Sequence, residues 1–183
     1  MTAQALDGES LRRLTDVITS LIRSPMIGEA DVVHDTFVIE RVLPASPERV
    51  FAALADPEAK RRWFAESPSH DVEAFEMDFR VGGLAHARYR LKPGGPFAGA
   101  VLKSDGTYLD ITFGRRIVEA STLTLGGRRI SASLVTITLT PASHGTVLTC
   151  AHQGAFFEGA DGPDRREAGW RRLLDQLAKA LAH

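Results

Sequence analysis

Leu148-Thr-Cys-Ala-His-Gln-Gly-Ala-Phe-Phe157, then a Gly/Pro/Asp turn, then a helical pattern from Asp164 to Leu181, is the stretch that decides the fold. The first segment has the composition of a strand. On the second, Trp170, Leu173, Leu174, Leu177 and Leu181 fall at i, i+3, i+4, i+7 and i+11, one face of a 3.6-residue period. That stripe needs an apolar partner, so a strand followed by a long terminal helix packed on the core is the first expectation.

Working outward, the preceding chain reads as more strands. Asp35–Leu43 alternates, with Phe37, Ile39 and Leu43 on one side. Asp71–Val81 alternates as well, with Phe75, Met77, Phe79 and Val81 in phase, and Gly82-Gly83 predicts a tight hairpin into Leu84–Leu91. Further strands are predicted at Thr107–Phe113, Arg115–Leu125, Arg129–Thr140 and Thr146–Phe156, seven in all. Between the first two strands lie two short helices. Ser46 caps one ahead of Pro47 with Val50, Phe51 and Leu54 inward, and Asp56-Pro57 repeats the device for a second ending near Trp63-Phe64. The Gly/Pro-rich run Lys92–Gly106 is long for a loop and predicts a lid or binding loop.

Residues 7–24 form a separate helical arm. Leu11, Leu14, Ile18 and Leu21 repeat at helical spacing between an Asp7 cap and a Pro25 stop. The expected division is an arm and connector over residues 1–34 and one domain over 35–183, with the arm's stripe predicting self-association, preferably as a two-fold homodimer, or else a cap on the domain's outer surface.

Composition excludes several classes. Lys and Arg number 22 against 23 Asp and Glu, so the net charge of −1 predicts neither nucleic acid nor a membrane surface as partner. Cys150 is the single cysteine, which rules out an internal disulfide, reads as a bland buried thiol and fits a reducing cytoplasm. There is no nucleophile elbow, phosphate loop or dinucleotide fingerprint, and the six histidines lack metal-ligand spacing; no cofactor and no metal are expected.

Four segments, in this order, carry a resemblance: Ala45-Ser-Pro-Glu-Arg-Val-Phe-Ala-Ala-Leu54; Asp56-Pro-Glu with Trp63-Phe64; Asp78-Phe-Arg-Val-Gly-Gly83; and Gln153-Gly-Ala-Phe-Phe157 with Gly169-Trp170. Over roughly residues 35–181 the chain resembles the SRPBCC (START-like) superfamily, in the branch similar to the C-terminal domain of the heat-shock-protein-90 ATPase activators (AHSA-like). The resemblance implies an α+β helix-grip fold, a curved seven-stranded antiparallel sheet wrapped around the terminal helix, enclosing a cavity for a small apolar or amphipathic molecule. It fixes no chemistry, since carriers, cyclases, hydratases and co-chaperones share that fold.

The predicted cavity takes its walls from Trp63, Phe64, Phe75, Met77, Tyr89 and Trp170 and its volume from Ala85 and Ala87. For the aromatic residues the plain alternative is core anchoring. Apolar walls in a nearly neutral chain predict that charged metabolites bind poorly. Binding without covalent chemistry leads, so the chain reads as a binder before an enzyme. A cyclase, hydratase or isomerase would use Tyr108, Asp110 and His152, a donor, a carboxylate and an imidazole, although an interior His is more often a satisfied core residue. A chaperone-interaction module is the third reading. The paired arginines, including Arg165-Arg166 and Arg171-Arg172, and the Glu76, Asp78, Arg80, Arg88 and Arg90 charges read as solvated surface.

Overall fold

The computed structural model describes residues 31–182. The predicted arm at 7–24, and the homodimer contact assigned to it, lie outside the described residues. The elements in order are β1 (Val33–Leu43), α1 (Pro47–Ala55), α2 (Pro57–Lys60), one π-helical turn (Arg61–Ala65), β2 (His70–Met77), β3 (Leu84–Leu91), β4 (Val101–Thr112), β5 (Arg116–Leu125), β6 (Arg128–Ala142), β7 (Gly145–Phe156) and α3 (Pro163–Leu181).

The seven strands form one antiparallel sheet in the order β1-β7-β6-β5-β4-β3-β2. Consecutive strands from β2 to β7 are neighbours, and β1 closes the series by pairing with the last strand. The link from β1 to β2 therefore crosses the sheet, and α1, α2 and the π turn make that crossing. Both predicted caps are present: Arg49 N donates to Ser46 Oγ at 3.4 Å and Ala59 N to Asp56 Oδ1 at 2.7 Å. The π turn closes with Glu66 N donating to the Arg61 carbonyl at 3.1 Å. It carries Trp63 into the core, where the indole N–H donates to the Ala53 carbonyl at 2.9 Å.

The terminal helix docks through its predicted stripe. Leu174, Leu177 and Leu181 are buried in one cluster with Ile39, Leu43, Val50, Leu54, Leu148 and Cys150, while Trp170 and Leu173 are half-buried against it. It packs on β1, α1 and the π turn, leaning towards one edge of the sheet.

Three expectations change. The β2–β3 connection is the six-residue link 78–83, not a two-residue turn, because Gly82 N and Tyr108 O, and Tyr108 N and Gly83 O, pair it to β4. Strand β4 starts at Val101 rather than Thr107, which shortens the loop to 92–100. Gly106, read as loop punctuation, sits inside that strand, paired with Ala85 of β3 and Ser121 of β5. The shortened loop is fastened by Gly99 N to Leu91 O, Leu91 N to Ala100 O and Arg90 Nη1 to Gly99 O, and none of its residues borders the cavity described below. The lid expectation is withdrawn.

Candidate functional site

Because α3 leans towards β1, the inner face of β4, β5 and β6 is left with a gap beneath the helix. The residues facing it are small. Gly106, Ser121, Ser133 and Gly154 pair in register across β4, β5, β6 and β7 and form one transverse row on the inner face. A cavity of about 470 Å³ lies between this sheet and the elements above it, within the range of about 300–1,000 Å³ usual for small-molecule sites. Its apolar walls include Leu54, Trp63, Phe64, Tyr89, Ile117, Leu123, Val135, Ile137, Trp170 and Leu173.

Of the eight predicted cavity residues, Trp63, Phe64, Tyr89 and Trp170 line the space. Phe64 links the two tryptophans, with ring centroids 5.5 Å from Trp63 and 6.1 Å from Trp170. The remaining four do not line it. Met77 and Ala85 pack against the main core, while Phe75 and Ala87 belong to a small cluster with Ala65, Val72, Tyr89 and Leu102. Ala87 thus gives close packing beneath the π turn rather than volume. The serine and glycine row supplies the space instead.

The enzyme-like set separates. Tyr108 and His152 are buried and inward, but Asp110 faces away, where Arg116 Nε donates to its carboxylate at 2.7 Å. The cause is a β-bulge between Tyr108 and Asp110, which adds one residue and reverses the phase of the strand after it. Asp110 cannot orient His152.

Polar groups missed in the sequence take its place. Lys60, at the end of α2, places Nζ 3.9 Å from Glu119 Oε2 and 3.4 Å from Tyr108 Oη, with the Phe64 ring centroid 5.3 Å away. Burial raises the Tyr108 hydroxyl, opposed by Lys60. Burial, aided by the Glu119 charge, raises that of Tyr89, so both phenols stay protonated at neutral pH. At the other end Arg166, read as surface, is buried and held by Asp161, its Nε and Nη2 donating to the two carboxylate oxygens at 3.0 and 2.6 Å; Nη1 donates to Ser131 Oγ at 3.1 Å. The signal was available: Arg166 lies four residues before Trp170, on the helix stripe itself.

His152 sits beside this pair. Burial pushes its imidazole down to about 4, with the Arg166 charge adding to the effect, so it is neutral at physiological pH. Two cavity-lining residues hold buried polar atoms with no partner among the described residues, Tyr89 Oη and His152 Nδ1. Leaving such an atom unpaired costs about 1–3 kcal/mol. Cys150 is buried, and burial pushes its thiol up to about 12, leaving no nucleophile there.

A wider concavity of about 670 Å³ lies on the outer face across β1, β7 and β6, bordered by Thr36, Ala132, Leu134 and Gln153. It is open to water over most of its extent and would cover little of a ligand. Among the described residues no helix is long and apolar enough to cross a membrane, and no cluster of three or more His, Cys, Asp or Glu side chains is placed to hold a metal.

A family model described as Activator of Hsp90 ATPase homolog 1-like protein matches residues 44–182. A solved structure of an uncharacterised protein from Rhizobium leguminosarum is 35% identical with a TM-score of 0.77, the match covering 83% of this chain and 97% of that one. A protein from Rhizobium loti is 43% identical with a TM-score of 0.73, covering 82% and 99%. An AHSA1-like protein from Aeromonas hydrophila, 20% identical with a TM-score of 0.58 over 81% and 92% of the chains, shares the fold. No curated protein matches.

Proposed function

The chain belongs to the Activator of Hsp90 ATPase homolog 1-like family, and from that premise we propose that it binds a small amphipathic molecule in the cavity between sheet and terminal helix, without covalent chemistry. The observation that carries this is the cavity itself: about 470 Å³ of space in an otherwise packed core, walled by aromatic and aliphatic side chains and bordered by two residues with unpaired buried polar atoms. Protein interiors tolerate few voids larger than a water molecule. A ligand would remove apolar wall from water at about 25 cal/mol per Å². The lone Cys150 thiol favours a reducing compartment, the cytoplasm.

The cyclase, hydratase or isomerase reading ranks lower, because Asp110 is bound to Arg116 on the outer face and, among the described residues, no carboxylate is hydrogen-bonded to His152 to orient it. The chaperone-interaction reading rests on the family name alone.

The test is titration of neutral N-phenyl-naphthylamine by fluorescence into the wild type and Ser121→Phe, which fills the floor of the cavity. Saturable binding by the wild type and at least tenfold weaker binding by a folded Ser121→Phe are expected; Ser133→Phe replaces it if it does not fold. Absence of binding to the wild type, or equal binding to the filled variant, removes the reading and leaves the interaction module ahead.

A further inference from the structure

The sequence expectation that charged metabolites bind poorly rested on apolar walls, and the cavity's borders are not apolar throughout. Four cationic side chains border it, Lys60, Arg165, Arg166 and Arg172. Two are neutralised locally, Lys60 by Glu119 and Arg166 by Asp161. Arg165 and Arg172 have no carboxylate within salt-bridge distance among the described residues, and both are exposed. Of the acidic lining residues, Glu66 is engaged by Arg61 at 3.5 Å. The rim therefore carries surplus positive charge, although the chain as a whole is at −1.

The two arginines belong to one helix face. Arg165, Gly169, Arg172 and Gln176 follow at i, i+4, i+7 and i+11 of α3, and all four border the cavity. Gly169 presents no side chain between the arginines, and Arg172 Nη2 lies over it, 3.9 Å from where a Cβ would stand. Trp170 and Leu173, on the adjoining face, border the same cavity and pack against the main core. A guanidinium group is a planar fork matched to a carboxylate, and its charge acts more strongly at the lip of an apolar cleft than on an open surface.

Building on the cavity-binding reading, we propose that the ligand is an amphipathic carboxylate, its anionic head held at the rim by Arg165 and Arg172 and its apolar body inside between Phe64, Trp170 and the serine row of the sheet. The unpaired Tyr89 and His152 atoms are independent support that the chamber is completed by something outside the described residues. A neutral ligand of the same shape would leave the rim arginines solvated and forgo the head-group contact.

Isothermal titration calorimetry of the full chain with dodecanoate and with dodecan-1-ol, which share one tail, tests the proposal. Dodecanoate is expected to bind at least tenfold more tightly than dodecan-1-ol, and the preference is expected to shrink as salt is raised. The double variant Arg165→Gln/Arg172→Gln is expected to lose the preference while dodecan-1-ol binds as before. If dodecan-1-ol binds the wild type as tightly as dodecanoate, or the double variant keeps the preference, the anionic head is overturned and the cavity reading stands. If neither dodecyl probe binds while N-phenyl-naphthylamine does, the amphipathic carboxylate is overturned and the cavity reading stands; if none of the three binds, both fail.

Discussion

His152 of β7 lies flat on Phe37 of β1, with ring centroids 4.6 Å apart and planes 4° from parallel. The register that places these two residues directly opposite each other fixes the stack, and Trp170 closes it at 6.2 Å from the imidazole. Buried among these rings, the imidazole is out of water, and the loss of hydration disfavours its charged form.

Stability is therefore expected to fall with acid. The folded His152 titrates at about 4 against an ordinary value of 6.5, so between these values the unfolded chain binds the extra proton and protonation favours unfolding. Stability is full above the ordinary value and is lost as pH falls towards the folded one. Linkage gives a loss of about 2 kcal/mol between pH 7 and pH 5 from this residue. Urea denaturation at the two pH values checks it, with His152→Phe as control: the variant should lose about 2 kcal/mol less than the wild type over the same interval.

Arg166 is expected to matter for stability despite its charge. It makes three hydrogen bonds, two to Asp161 and one to Ser131, and only 9% of the residue is exposed. Arg166→Ala would strand the partners and cost about 2–4 kcal/mol, below the upper range for buried pairs because Asp161 keeps a third of its side chain in water. Arg165→Ala, one residue away and exposed, should change stability by less than about 0.5 kcal/mol. Chemical denaturation of the two variants makes the comparison.

The terminal helix gives the plainest core prediction. Leu174 is wholly buried among residues from β1, α1 and β7, so Leu174→Ala should cost about 2–5 kcal/mol by the transfer and cavity terms together. A measured loss near zero would mean the helix is not docked on the sheet.

What the sequence made legible was what repeats. The stripe Trp170 to Leu181 and the alternation in β1 extend over enough residues to be read without knowing their partners. Single-residue events were not legible. The bulge after Tyr108 inserts one residue and moves Asp110 to the opposite face, and no local pattern announces it. Ala87 shows that a small residue on an inner face marks either space or close approach, and only the position of Ala65 above it decides. Ser121 and Ser133 were legible, since they share strand phase with Ile117 and with Val135 and Ile137, and small polar residues in an inward phase mark a cavity floor. Lys60 was not, because its nearest partners, Tyr108 and Glu119, come from distant strands.

Gly145 supplies a backbone test of how β1 meets the β6–β7 hairpin. Its φ of +131° is one that other residues rarely adopt, and a Cβ placed there would come within 2.0 Å of the Leu43 carbonyl oxygen. The obstruction is backbone rather than a flexible side chain, and nearby the buried Thr146 hydroxyl donates to the Ala45 carbonyl at 2.7 Å, tying the same corner. Gly145→Ala must therefore push β1 and the start of α1 away from the hairpin as well as strain its own backbone. A loss of about 2–4 kcal/mol is expected, more than backbone strain of about 1–3 kcal/mol alone would give. Gly94→Ala, also at positive φ but with nothing within 4 Å of the added atom, isolates the strain component. Thermal or urea denaturation of the pair should show Gly145→Ala the more damaging by at least about 1 kcal/mol; equal losses would mean that the close approach of β1 to this turn contributes nothing.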